Sequence, residues 1–417
     1  MSIKLFFQKL IPFLKKRGFK GLVTKVLQKL HVVPEQARVL EDFEFIVDQT
    51  KIPFIKREYE LHKEDEVKIL NWIIPEMGKG SGGHLNIFRF ISHLENMGFH
   101  SRIYLFKSPH YRDNASVKAF LREHFPILDE RVEAYWDVKF AKYAHATIAT
   151  SWQTAYFVRN FNNTTSKFYF VQDYEPYFYA LGSEYEFAKQ TYEFGFRGIT
   201  AGDWLKDKLA EEFGMRTESF GFSYDKELYT PQKKHGKKKQ VFFYARPVTP
   251  RRDFELGLLA LDLLCQKMPE VEVVFAGWDV SRYVIPFAHK NLGIVSIDQL
   301  SKVYAQCDLC LVISNTNLSL LPLEVMASNS VAVCSKGKNS TWLVNEENSV
   351  LVDFEPYSIA NTLEYYLKND EKLKEIQTAN QVKGECEKLS SKVSEMEQMM
   401  EKQQNELNDA RAAVVRL

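Results

Sequence analysis

The chain has 417 residues, 55 Lys and Arg against 54 Asp and Glu, a net charge of +1, and 45% hydrophobic and 14% aromatic residues. That apolar content excludes a mainly disordered chain, and the charge balance excludes a generally basic nucleic-acid binder. No run of about 18 uncharged apolar residues offers a transmembrane helix, and at roughly 100 to 200 residues per domain two domains are expected. The five cysteines, Cys265, Cys307, Cys310, Cys334 and Cys386, lack zinc-ligand spacing and read as reduced thiols of a cytosolic core.

Residues 1 to 30 hold seven Lys, one Arg and no acid, so the rest of the chain carries −7. Leu5, Phe6, Leu10, Phe13, Leu14, Phe19, Leu22, Val26 and Leu30 recur at helical spacing broken by Pro12 and Gly18. This pattern predicts one or two amphipathic helices with a basic face, and no cleavage site marks a signal peptide. An anionic membrane surface is the expected partner, since each surface Lys or Arg contributes about 1 kcal/mol there. The bland alternative packs the apolar stripe on the protein body with the lysines in water.

Strands and helices then alternate. Strand candidates start at Val67, Ser101, His145, Phe168 and Gly198, with helices over 85–97 and 204–214 among those between them. Short, wholly apolar strands separated by helices imply a parallel sheet covered on both faces. Between the first strand and its helix lies Gly78-Lys-Gly-Ser-Gly-Gly-His84, where four glycines let backbone approach a ligand and the helix amino terminus favours an anion. It has neither Walker nor dinucleotide spacing, and a tight strand-to-helix turn would explain one or two of its glycines. Asp173 ends the strand candidate at 168–173, beside Tyr174 and Glu175. It is either a site carboxylate or a cap on the next turn.

A polar stretch at 231–240 reads as an exposed linker. The second series has strands at 241–245, 271–277, 293–296, 309–314, 331–335 and 349–353, with helices over 255–267, 298–306 and 321–328. After its first strand, Arg246 and Arg251 project from a loop stiffened by Pro247 and Pro250. Arginine forks match phosphate oxygens, although a solvated basic turn has the same spacing. In the segment 314–329 a polar loop enters an apolar helix with one acid, Glu324. Such an acid needs a hydrogen-bond partner, for which a ribose or sugar diol is suited, unless it simply faces solvent. From Val382 onward apolar or small residues recur in steps of four and three, the pattern of a coiled coil that would join copies of the chain or a partner. The pattern still runs at Leu417, as expected of a fragment, a fusion or part of a larger architecture.

These elements give an α/β chain of two doubly wound Rossmann-like domains facing a cleft. The expected divisions are a basic segment at 1–40, a first, acceptor-side domain at 41–228, a linker at 229–240, a nucleotide-sugar domain with a crossover helix at 241–380, and a coiled coil at 381–417. The phrases at 72–90, 170–178, 192–205 and 244–261 resemble the GT-B glycosyltransferases of retaining family 4, and among them the rhamnosyltransferases of bacterial surface-glycan assembly that use dTDP-β-L-rhamnose.

The resemblance covers about residues 40 to 370. It implies that Gly80, Ser81, Gly82 and Gly83 approach the donor diphosphate from the first domain, and that Arg246 and Arg251 hold it from the second. Glu324 would bind the ribose, with Gly277, Asn317, Leu318, Ser319 and Leu320 on the donor side. The first acid of the family's Glu-x7-Glu signature is absent, its place taken by Thr316. That departure suits a 6-deoxy sugar.

Asp173 is the candidate to orient the acceptor or balance charge at the sugar. No Asp-x-Asp is present, so no metal or other cofactor is expected, and arginines and helix dipoles should stabilise the leaving diphosphate. The implied partners are a nucleotide-sugar donor and a lipid-linked O-antigen or S-layer glycan acceptor, handled at the inner face of the cytoplasmic membrane. Two other readings stay open: another sugar donor or a GT-B sugar-nucleotide epimerase, and a degenerate transferase domain displayed as a scaffold on a coiled coil.

Overall fold

The computed structural model describes residues 38–78 and 81–383. The basic segment 1–30, Gly80 in the glycine loop and the coiled-coil reading beyond Lys383 lie outside these residues. The chain divides into two units at Gln49/Thr50. Residues 41–49, expected in the first α/β domain, therefore fall in the N-terminal unit, whose described part is two exposed helical turns, Val39–Asp42 and Glu44–Val47.

The second unit holds two parallel sheets. The first has seven strands: β1 (Ile69–Ile74), β2 (His100–Leu105), β3 (Glu133–Tyr135), β4 (Ala144–Ala149), β5 (Thr164–Val171), β6 (Arg197–Ala201) and β7 (Thr217–Phe220), in the order β3-β2-β1-β4-β5-β6-β7. The second has six: β8 (Gln240–Tyr244), β9 (Glu272–Ala276), β10 (His289–Asn291), β11 (Leu309–Val312), β12 (Val331–Ser335) and β13 (Val350–Val352), in the order β10-β9-β8-β11-β12-β13. Strand order reverses between β1 and β4 and between β8 and β11. In doubly wound sheets ligands bind outside the carboxyl ends of strands at such reversals.

The apolar runs become strands because both faces are covered. In the second sheet Val241, Phe243, Val273 and Phe275 face one core with the helices Phe254–Lys267 and Pro356–Lys368, while Phe242, Val274, Cys310 and Val312 face the other with Tyr304 and Val325. The alternation is the two-residue pleat. The first sheet uses much of the aromatic content: Phe170 at the end of β5 packs against Phe90 (centroids 4.8 Å) and Phe220 (5.0 Å). Cys265, Cys307, Cys310 and Cys334 are buried free thiols, as the cysteine spacing implies.

One expectation requires correction. The strand expected at 293–296 is a loop, because Gly293 turns the chain at φ +61° and accepts a hydrogen bond from the Gly277 N–H (2.8 Å). The actual strand is β10, three exposed residues at the sheet edge with no apolar run to announce them. The polar stretch 231–239 is largely exposed; Tyr229 before it is buried against Tyr304, Lys234 pairs with Asp308 (2.5 Å), and Gln240 opens β8. The last described helix, Asp370–Lys383, packs on Leu321–Ala327, Pro356–Lys368 and β12.

Candidate functional site

The sequence-expected site residues cluster at strand carboxyl ends. Ser81 caps the helix Gly82–Asn96, its Oγ accepting from the His84 N–H (3.4 Å) and lying 2.8 Å from His84 Nδ1. Burial pushes the His84 imidazole down to about 4, so it is neutral at pH 7. Gly82 and Gly83 are exposed, and a Cβ on Gly82 would meet only Ser319 Oγ of the other lobe, at 4.0 Å. Packing does not require glycine there. Gln172, after β5, bonds the first turns of this helix twice: its Oε1 accepts from Asn86 and its Nε2 donates to the Gly83 carbonyl (3.1 Å).

Across the cleft, β8 leads into three arginines rather than two. Arg246 lies 5.9 Å from the Trp278 ring, Arg251 lies 3.9 Å from the Phe178 ring, and buried Arg252 donates to the Asn317 carbonyl (3.2 Å). Burial holds Arg251 and Arg252 below the usual guanidinium range, and repulsion from neighbouring arginines adds to it. Guanidinium remains protonated regardless. Asp253 adopts the left-handed region (φ +51°) and accepts from Asn315, while the Asn315 N–H donates to the Arg251 carbonyl (2.9 Å), so the arginine turn is tied to the loop after β11. Gly277 is needed for packing: at φ +104° its Cβ would stand 2.7 Å from the Tyr244 ring.

The loop after β11 divides its expected duties. Leu318 and Leu320 bury their side chains, Leu318 in a core. Ser319, at φ +61°, donates its N–H to Asn317 Oδ1 (2.7 Å), so that N–H is engaged within the loop itself. Asn317 reaches the first lobe, its Nδ2 donating to the Gln172 carbonyl. Asp173 is met there from the opposite lobe: Thr316 Oγ1 donates to Oδ2 (2.7 Å), the Asn317 N–H donates to Oδ1 (3.2 Å), and Arg251 Nε lies 3.8 Å from Oδ2. Burial raises the Asp173 carboxyl while these groups pull against the rise.

Glu324 sits half-buried in the helix Leu321–Ala327. Burial pushes its carboxyl up to about 7, opposed by the Tyr229 hydroxyl and by Arg89. Arg89 and Arg252 are the residues that sequence reasoning passed over. Arg89 is a lone cation between Phe88 and Phe90, the same signal that singled out Glu324, and Arg252 stood beside a chosen arginine. Among the described residues no three His, Cys, Asp or Glu side chains gather as a metal site.

Comparison with solved structures bears on the architecture. The chain is similar to a mutant of TarM from S. aureus, in complex with fondaparinux, α-GlcNAc-glycerol and UDP, with a TM-score of 0.64 at 10% identity over 80% of this chain and 99% of that one. It is similar also to WaaG, a glycosyltransferase involved in lipopolysaccharide biosynthesis, with a TM-score of 0.57 at 12% identity over 79% and 99%. The fold is GT-B. Residues 239–364, nearly all of the second GT-B lobe, match the family described as WsaF, C-terminal domain. Over 321 residues the chain is 31% identical to the O-antigen biosynthesis protein RfbC of Myxococcus xanthus, covering 74% of this chain but only 25% of that relative's length.

Proposed function

We propose that this chain is a glycosyltransferase of bacterial surface-glycan assembly that moves L-rhamnose from dTDP-β-L-rhamnose to a lipid-linked glycan with retention at the anomeric carbon. The observation that carries the reading is the cationic cluster at the β8 end. Arg246, Arg251 and Arg252 lie close enough to repel one another, against Asp173 and Asp253, so the cluster keeps positive charge for an anion. A nucleoside diphosphate supplies that anion, and its ribose reaches Glu324 on the neighbouring helix. The match to a WsaF C-terminal domain over this lobe and the likeness to RfbC support a glycan-assembly setting.

The transfer follows from charge. As the glycosidic bond breaks through an oxocarbenium-like state, negative charge grows on the diphosphate, where pre-placed guanidiniums stabilise it without metal. Attack from the same face gives retention, with the leaving phosphate oxygen taking the acceptor proton. Asp173 faces the reacting sugar and balances its positive charge or orients the acceptor.

The basic residues 1–30 hold the enzyme at the inner face of the membrane, and the heptads beyond residue 381 join copies or a partner. Among the described residues no helix is long and apolar enough to cross a membrane. Calorimetry with dTDP-, UDP- and GDP-sugars tests the reading. dTDP-L-rhamnose should bind tightest and release dTDP on turnover, and failure to bind any of them would overturn it. Flotation with anionic liposomes tests the anchor, which fails if a chain lacking residues 1–30 floats equally.

A further inference from the structure

Thr316 occupies the position at which the resemblance calls for an acid. Its side chain is wholly buried, so it offers no contact to a ligand. Every polar group of the residue is engaged: Oγ1 donates to Asp173 Oδ2 (2.7 Å), the N–H donates to Ser314 Oγ (3.2 Å) and the carbonyl accepts from Asn339 Nδ2. Asp173 receives one hydrogen bond from its own lobe, the Tyr174 N–H at 2.9 Å, and two from the other, Thr316 Oγ1 and the Asn317 N–H. The orientation of this first-lobe carboxylate is therefore set by second-lobe residues.

We propose that Thr316 is a positioning residue for the transfer step: by donating to Asp173 across the cleft, it holds that carboxylate toward the reacting sugar when the lobes are together. The inference rests on the reading of the cleft as a sugar-transfer site. A carboxylate at 316 would confront the buried carboxylate of Asp173, and like charges at such range raise one another's pKa. A hydroxyl satisfies Asp173 with a donor and adds no charge. The absent acid at 316 and the acid present at 173 thus form one arrangement, with the carboxylate carried by the first lobe and its donor by the second. The hydroxyl also counters burial and favours the ionised carboxylate that the step uses.

The test uses the full chain, dTDP-L-rhamnose turnover measured as dTDP release, and calorimetric Kd for dTDP. Removing a hydrogen bond to a charged group costs roughly tenfold or more in rate when the bond serves the transition state. Thr316→Val should lower kcat by about that factor, leave KM and the dTDP Kd within about twofold, and move the acid limb of the kcat profile to higher pH. Thr316→Ser should restore near-wild-type turnover, and Thr316→Val should add no further loss in an Asp173→Asn background. Thr316→Ala, read the same way, serves if the valine variant melts early.

Wild-type kcat in Thr316→Val, a loss confined to KM, or a loss that serine does not restore would overturn the assignment while the transferase reading stands. A wild-type chain that binds no nucleotide sugar would overturn both.

Discussion

The loops after β8 and β11 bring Arg246, Arg251, Arg252 and a seven-residue helix with Glu324 to the cleft, whereas those after β1 and β5 bring glycines, a capped helix and one carboxylate. Both lobes are parallel sheets of similar plan, yet they hold their site residues differently. The second relies on clustered charge. The first relies on a buried hydrogen-bonded hub: Glu175 accepts from the Tyr169 hydroxyl (2.7 Å) and the Trp152 N–H (2.9 Å), and its own N–H donates to the Tyr192 hydroxyl (3.1 Å). That hub fixes the turn carrying Asp173 and Phe178, and Phe178 in turn supports Arg251. The lobe that carries the arginines thus leans on the buried hub of the other.

The largest effects should come from removing the charged groups. Arg246→Ala and Glu324→Ala should each bring transfer to background, a loss of at least about 100-fold, with unchanged circular dichroism and melting. Wild-type-like turnover in either would dissolve the division between the lobes.

A smaller, graded effect concerns pH. With its carboxyl raised to about 7, Glu324 is protonated below that pH, and in the proposed complex it would accept from both ribose hydroxyls only above it. The dTDP affinity should rise as pH increases through 7, and Glu324→Gln should flatten the curve in calorimetry. In the first lobe Glu175, likewise pushed by burial to about 7, stands above its unfolded value near 4.5. Its contribution to stability is full below that unfolded value and is lost as pH rises through 7. The melting temperature should therefore fall across that window, and less steeply in Glu175→Gln.

Two glycines separate contact between lobes from packing within one. A Cβ on Gly202, at φ +80°, would stand 2.2 Å from the second-lobe Trp342 ring, and one on Gly257 would stand 2.2 Å from Phe243 in the same lobe. Each alanine variant should cost about 1–3 kcal/mol in a denaturant melt. Gly202→Ala alone should also slow turnover. EDTA should change nothing, and a strict metal requirement would refute the arginine-based scheme.

Most of the internal strands were legible because strands buried on both faces must be continuously apolar. The edges β3, β7 and β10 were not, since short strands with polar residues carry no such run. The local signals at Glu324, Arg246 and Arg251 were readable as charges in apolar or proline-stiffened settings. Arg89 gave the same signal, and what gives it meaning is Glu324, 235 positions further along and on the other lobe.

By itself the sequence determined the alternation of strands and helices and the glycine and arginine loops, because each depends on neighbours a few residues apart. Only the tertiary structure decided that Thr316 answers Asp173, that Leu318 belongs to a core, and that Gly277 is held by Tyr244. Those pairings join residues from separate strand ends, 143 positions apart for Thr316 and Asp173. A hydrogen bond between such groups exists only once the parallel sheets have gathered the strand ends at one cleft.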